Sequence, residues 1–162
     1  MSSNNIPELI QKYGDKIIWI NEEYYSFPTP KQLSKASVQD LRTLGLGFRD
    51  KRVFETTQIF VSNQVYLSKL MCKKTEEARE ILLTLPGVGP KVADCILLFS
   101  ELKRLEVFPV DVWVRRVMND LYIKMEDENK VNKKEVLNLA KEKYGDLAGL
   151  AQQYLFYWKR EA

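Results

Sequence analysis

Residues 85–116 constrain the fold of this chain more than any other stretch. They run from Leu85-Pro86-Gly87-Val88-Gly89-Pro90-Lys91 to Val110-Asp111-Val112-Trp113. Gly87 and Gly89 allow the positive φ angles of a tight turn. Pro90 suits the first turn of a helix, where its missing N–H costs nothing. Free amides in such a turn, and at the helix start behind it, can bind phosphate. The pattern therefore predicts two helices joined by a phosphate-binding hairpin.

Two charged residues stand at predicted helix starts in this stretch. Lys91 begins the second helix, and Cys95 and Phe99 continue its helix face at four-residue spacing. Asp111 precedes an apolar-periodic run and is predicted to cap the next helix. Each residue alone is compatible with a simpler role, Lys91 as a solvated lysine and Asp111 as a cap. Their order and spacing together favour a functional site.

These residues resemble the helix-hairpin-helix DNA glycosylases, and most closely the 8-oxoguanine DNA glycosylase/AP lyases. The resemblance rests on residues 85–96 and 110–112, with support from residues 44–49 and 149–156. It implies an enzyme of base-excision DNA repair that removes 8-oxoguanine opposite cytosine through a lysine Schiff base and β-elimination. It also implies an N-terminal region ahead of this segment, so we expect the catalytic helical portion of a longer enzyme, truncated at its N-terminus.

The resemblance implies a role for each matching residue. The catalytic positions are Lys91, the nucleophile, and Asp111. The positions that contact the flipped base are Cys95, Gln152 and Phe156. The DNA-binding positions are Gly87, Val88, Gly89, Phe48, Arg49 and Asn4, with Arg42, Lys51 and Arg52 as further candidates for phosphate contacts. The backbone carbonyls of Leu83, Leu85 and Val88 match those that hold a structural Na⁺ or K⁺ ion. Trp113 stands where the family has a histidine.

Composition narrows the available chemistry. The 162 residues include no histidine and only two cysteines, Cys72 and Cys95. This argues against Ser-His triads, most zinc sites, disulfide frameworks and iron–sulfur clusters, and we expect no cofactor for catalysis. Acid–base chemistry is left to carboxylates, lysine and tyrosine. The net charge of +3 permits nucleic-acid binding through a local patch without arguing for it.

The same composition bounds the environment of the protein. Hydrophobic residues make up 45% of the chain and charged residues 29%, as is typical of soluble globular proteins. No apolar run approaches the roughly 20 residues of a membrane helix, and residues 1–5 have no signal-peptide character. We expect a cytoplasmic protein, associated with the prokaryotic nucleoid, that is a monomer and does not act on membranes. The family resemblance implies damaged double-stranded DNA as its partner.

Apolar periodicity predicts helices along most of the chain. They span residues 30–36, 37–44, 51–62, 65–70, 75–85, 90–101, 111–123, 132–144 and 146–159. Residues 6–20 suit a short helix, a stop and a second apolar turn, and no strand-like alternation is present. We therefore predict an all-α fold in one domain over residues 1–162: a helical bundle with a helix-hairpin-helix motif at about residues 75–101.

Three other functions fit parts of the sequence. A glycosylase for oxidised pyrimidines is the nearest, but the chain lacks a C-terminal cysteine cluster and carries the segment around Gln152 and Phe156. A non-catalytic DNA-binding module needs only the hairpin, whereas Lys91 and Asp111 together favour chemistry. A protein-interaction role through the C-terminal aromatic residues has no motif to support it.

Overall fold

The computed structural model describes residues 5–62 and 67–161, which form two compact units. The first unit consists of the described residues up to Leu67 together with Leu85–Gly87, and the second of Ser68–Thr84 and the described residues from Val88 onward. No helix in the described ranges is both long enough and apolar enough to cross a membrane.

The described residues of the first unit form four α-helices, a short 3-10 helix (Gly47–Arg49) and a two-stranded sheet. In chain order the α-helices and strands are α1 (Asn5–Tyr13), β1 (Lys16–Trp19), β2 (Glu22–Tyr25), α2 (Pro30–Leu33), α3 (Val38–Thr43) and α4 (Asp50–Val61). Leu9, Leu33, Ala36 and Leu41 form its buried core. Ser37 caps α3 through a reciprocal capping box with Asp40, which confirms the helix start predicted there.

The chain continues through α5 (Leu67–Leu70) into the helices of the second unit. These are α6 (Thr75–Leu83), α7 (Pro90–Phe99), α8 (Val112–Met118), α9 (Lys133–Tyr144) and α10 (Ala148–Glu161). The predicted all-α architecture with a helix-hairpin-helix motif is confirmed, and α6 and α7 are the two helices of that motif.

The two-stranded sheet is a local exception to the helical prediction. β1 and β2 pair antiparallel, with Lys16 opposite Tyr25 and Trp19 opposite Glu22. Ile20 and Asn21 join them with φ angles of 49° and 62°, as in the two-residue turns that close hairpins. The second apolar turn predicted within residues 6–20 was therefore wrong. The segment is rich in β-branched and aromatic residues, which favour an extended backbone once a hairpin turn is available.

The core of the second unit packs around α8, α9 and α10. Its buried members are Phe108, Val110, Val114, Met118, Val131, Val136, Ala140 and Ala148. Val110 and Val114 lie on either side of Asp111, so burial of these two side chains fixes the backbone at the start of α8. The helix predicted over residues 111–123 ends at Met118, and a single π-helical turn, Asn119–Ile123, follows.

Side-chain hydrogen bonds join α6 to α7. Arg79 Nε donates to Asp94 Oδ1 over 2.8 Å, and Arg79 Nη1 lies 2.5 Å from Glu76 Oε2. Asp94 is buried, with 5% of its surface exposed. A buried carboxylate needs such a partner, because its charge is expensive to remove from water unpaired. The ion pair therefore fixes α7, and with it Lys91, relative to α6.

Candidate active site

Lys91 and Asp111 come together at the starts of two neighbouring helices in the chain. Lys91 is the second residue of α7, and Asp111 is the N-cap of α8. Lys91 Nζ lies 3.9 Å from Asp111 Oδ2. The side chains keep 52% and 39% of their surface exposed. The pair is thus open to an incoming substrate, and the catalytic roles of the two residues stay predictions.

The two oxygens of Asp111 have different partners. Oδ1 accepts a hydrogen bond of 2.9 Å from the backbone amide of Val114, as predicted for a helix cap. Oδ2 is the oxygen that faces Lys91. Because the cap holds Oδ1, the carboxylate cannot rotate freely, and Oδ2 stays directed toward the amine.

A cavity of about 370 Å³ adjoins the pair. It is lined by Lys91, Val110, Asp111, Val112, Arg115 and Lys133. Sequence reasoning missed Arg115 and Lys133. Arg115 is four residues from Asp111, a spacing that places the two on one helix face and was an available signal. Lys133 begins α9 and gave no local signal, since only the tertiary fold brings it to this cavity.

The two glycines of the hairpin differ in conformation. Gly87 has a φ of 79°, whereas Gly89 is extended, with φ −91° and ψ 177°. Of the two glycines that allow the positive φ of a tight turn, only Gly87 adopts it. Gly89 is the N-cap of α7, a position at which extended backbone is normal for any residue.

The first unit carries the aromatic residue and arginines predicted to contact DNA. Phe48 is 78% exposed, and the guanidinium carbons of Arg49 and Arg52 lie 6.0 Å and 5.9 Å from its ring centroid. The stem of Arg52 also packs against Gly87, where an added Cβ would lie 2.5 Å from its Cδ. Arg52 therefore contacts both Phe48 and the hairpin turn. Arg42 is paired with buried Asp50 at 2.7 Å while 55% of its side chain stays exposed, and a phosphate contact by Arg42 stays a prediction.

The residues predicted to contact the base lie on two helices of the second unit. Gln152 is buried, and its amide nitrogen donates a long 3.4 Å hydrogen bond to the carbonyl of Pro109. Phe156 packs on Trp113, with 4.6 Å between ring centroids. Cys95 is a half-buried free thiol one turn along α7 from Lys91. Base contact by these three residues remains a prediction.

Two further predictions are tied to particular backbone segments. Asn4 lies outside the described residues. Leu83 is the last residue of α6, and Leu85 and Val88 follow in the turn that leads to α7. Carbonyls at the end of a helix lack intrahelical partners, and hard cations prefer oxygen ligands. The donor type thus fits the Na⁺ or K⁺ ion that the resemblance implies.

Comparison with known proteins places this geometry in a family. The family model for HhH-GPD superfamily base excision DNA repair proteins matches residues 3–144. The chain belongs to this superfamily. The lysine–aspartate pair at the starts of α7 and α8 is therefore the candidate active site of an HhH-GPD protein.

Two relatives of this chain carry glycosylase and lyase names. The probable N-glycosylase/DNA lyase of Methanothermobacter thermautotrophicus is 32% identical, over 99% of this chain and 55% of that protein. The N-glycosylase/DNA lyase of Saccharomyces cerevisiae is 38% identical, over 72% of this chain and 36% of that protein. The chain thus spans about half or less of the length of these relatives.

A solved structure shares the fold. The Clostridium acetobutylicum 8-oxoguanine glycosylase/lyase, in complex with double-stranded DNA containing cytosine opposite 8-oxoguanine, superimposes with a TM-score of 0.86. It is 37% identical, and the match covers 98% of this chain and 53% of that one. This fold therefore also occurs in a DNA-bound 8-oxoguanine glycosylase/lyase.

Proposed function

We propose that this chain is the catalytic helical portion of a bifunctional DNA glycosylase/AP lyase that removes 8-oxoguanine opposite cytosine from double-stranded DNA. One observation carries the proposal: Lys91 Nζ lies 3.9 Å from an Asp111 oxygen on an open cavity. Membership of a base-excision repair superfamily and the names of the relatives support it.

The chemistry begins with Lys91. Its amine, once deprotonated, attacks C1′ of the extruded nucleotide as the bond from C1′ to the base breaks, and the base leaves with the bonding electrons and takes up a proton. The sugar ring then opens to a Schiff base between Lys91 and C1′. Loss of a proton from C2′ expels the 3′ phosphate by β-elimination, and water releases Lys91.

Asp111 supports both stages of this reaction. Its fixed Oδ2 faces the site where positive charge develops on the sugar, so it stabilises an oxocarbenium-like transition state. The same oxygen is close enough to Lys91 to take part in proton transfers to and from the amine. The cap made by Oδ1 removes the need to order the carboxylate during the reaction.

The remaining predicted residues bind the substrate in this proposal. Cys95, Gln152 and Phe156 contact the flipped base, while Phe48 and Arg49 enter the duplex near the opposite cytosine. The hairpin amides bind backbone phosphate. A Na⁺ or K⁺ ion on the carbonyls of Leu83, Leu85 and Val88 would supply positive charge toward that phosphate and takes no part in bond breaking.

Borohydride trapping tests the proposal directly. The 162-residue chain is incubated with duplex DNA containing 8-oxoguanine opposite cytosine, and borohydride reduces any Schiff base to a stable adduct. We expect an adduct with the unmodified chain and with Lys134→Gln, an exposed lysine outside the cavity, and none with Lys91→Gln.

Other substrates separate the alternatives. An adduct with an oxidised-pyrimidine duplex but none with 8-oxoguanine would replace the proposed substrate by the other lesion class. An adduct with a preformed abasic site alone would show a competent nucleophile and refute base excision by this chain. Binding of both duplexes without any adduct would refute the enzyme and identify a DNA-binding module.

A further inference from the structure

The cavity beside Lys91 and Asp111 has more cationic than acidic side chains in its lining. Lys91, Arg115 and Lys133 line it together with a single carboxylate, that of Asp111. Lys91 is the cation paired with that carboxylate. Within the described part of the chain, neither Arg115 nor Lys133 forms a salt bridge. The cavity therefore presents two cations that have no acidic partner.

Two other arginines of the second unit do have acidic partners. Arg116, next to Arg115 in α8, pairs with Glu128 at 3.1 Å. Arg79 is paired with both Asp94 and Glu76. Arg115 and Lys133 are both half-buried and line one cavity without an acidic partner, so together they give it a positive potential that attracts an anion.

The geometry points to a phosphate site: Arg115 and Lys133 bind a phosphodiester group of the DNA backbone that flanks the reacting sugar. This inference rests on the proposed function, because that function brings C1′ of the nucleotide to Lys91 in the same cavity. The phosphodiesters attached to that sugar are then the nearest anions to Arg115 and Lys133.

The two side chains suit complementary parts of that group. The planar guanidinium of Arg115 can donate two parallel hydrogen bonds to phosphate oxygens, and the ammonium of Lys133 supplies a compact charge. Arg115 is one helical turn from Asp111, and its backbone amide donates to the Asp111 carbonyl over 3.0 Å. A phosphate held by Arg115 would therefore lie at the same cavity as Asp111 and Lys91.

Binding to an unreactive substrate analogue tests this site separately from the chemistry. The ligand is a duplex containing a tetrahydrofuran abasic analogue, which cannot form a Schiff base. Fluorescence anisotropy measures Kd from about 50 to 200 mM KCl. The variant Arg115→Gln/Lys133→Gln is compared with its neighbour-matched control, Arg116→Gln/Lys134→Gln. Circular dichroism melting confirms that each variant is folded.

We expect the cavity double variant to bind roughly tenfold more weakly than the control variant at low salt. Its slope of log K against log[KCl] should be smaller in magnitude by about 0.9, because the variant neutralises one DNA phosphate fewer. Arg115→Lys, which keeps the charge but not the fork, should recover part of the affinity. Equal affinity and equal slope in the cavity and control double variants would overturn the inference.

Neutral phosphate analogues identify which flanking group is bound. A methylphosphonate is placed on the 3′ or the 5′ side of the tetrahydrofuran residue. On the bound side, the affinity difference between wild type and the cavity double variant should disappear. A 3′ result assigns the pair to the leaving group of β-elimination, and a 5′ result to anchoring of the sugar. Persistence of the difference with both analogues would refute a flanking phosphodiester as the ligand.

The two proposals fail in different assays. Absence of a borohydride adduct would reject the glycosylase/lyase function whatever the anisotropy shows. A normal adduct together with unchanged binding of the cavity double variant would reject only the phosphate site.

Discussion

Replacement of Gly87 by alanine tests how the hairpin is built. Gly87 has a φ of 79°, a conformation that costs a residue with a side chain about 1–2 kcal/mol. An alanine Cβ there would also lie 2.5 Å from Arg52 Cδ, so the arginine stem must move. The loss of unfolded-chain entropy offsets about 0.4–1 kcal/mol of this cost. We expect Gly87→Ala to lower the free energy of unfolding by about 1 kcal/mol.

Gly89→Ala is the matched control within the same hairpin. Gly89 is extended, and no described heavy atom outside its immediate neighbours lies within 4 Å of the position of an added Cβ. The entropy gain is opposed by the loss of a better N-cap residue, because alanine is a poorer N-cap than glycine, so this variant should stay within about 0.5 kcal/mol of wild type. Urea denaturation followed by circular dichroism measures both.

DNA binding should also differ between the two glycine variants. Movement of Arg52 also disturbs its contact with the ring of Phe48, so Gly87→Ala should weaken binding to the abasic-analogue duplex more than Gly89→Ala does. Equal stability changes in the two variants, or a larger loss in Gly89→Ala, would refute the assignment of the turn to Gly87.

Three acidic residues provide further predictions. Asp111→Ala should lose the cap on Val114 and about 1 kcal/mol of stability. Asp111→Asn should keep most of the stability yet lose adduct formation. Equal destabilisation of these two variants in urea denaturation would contradict the cap. Arg79→Ala leaves buried Asp94 unpaired and should cost about 3 kcal/mol in urea denaturation, while the further change Asp94→Ala should recover part of that loss; a less stable double variant would contradict this. The Lys51 amide, with Arg42, holds the pKa of the Asp50 carboxyl below its ordinary value. Its carboxylate therefore stabilises the fold above about pH 4 and loses that effect as pH falls further. The stability difference between wild type and Asp50→Asn should shrink in acid titrations, and a constant difference would refute the role of that charge.

Local sequence signals predicted the parts of the site that depend on near neighbours in the chain. A cap acts within three residues, and the start of a helix after Gly-Pro depends on backbone preferences alone. For this reason the roles of Asp111 as cap and Lys91 as an early residue of α7 were available from the sequence. The capping box at Ser37 was predictable on the same ground.

Local signals were insufficient where two conformations had similar intrinsic cost. Gly89 can adopt positive φ but does not need to, since the turn is completed at Gly87. Ile17 and Ile18 are compatible with a helical turn, yet a two-residue reversal at Ile20 pairs their segment as a strand. In each case the backbone conformation of a nearby residue, Gly87 or Ile20, determined the conformation of the segment.

The sequence by itself determined the helical class and the hairpin between two helices, because these depend on short-range spacing and backbone preference. Its resemblance to a family singled out the lysine and aspartate of the candidate site. Only the tertiary structure decided which side chains share a cavity. Lys133 of α9 lines the cavity, and Trp113 of α8 packs on Phe156 of α10. Such contacts join residues far apart in the chain, and burial of the common core, not any local pattern, sets their distance.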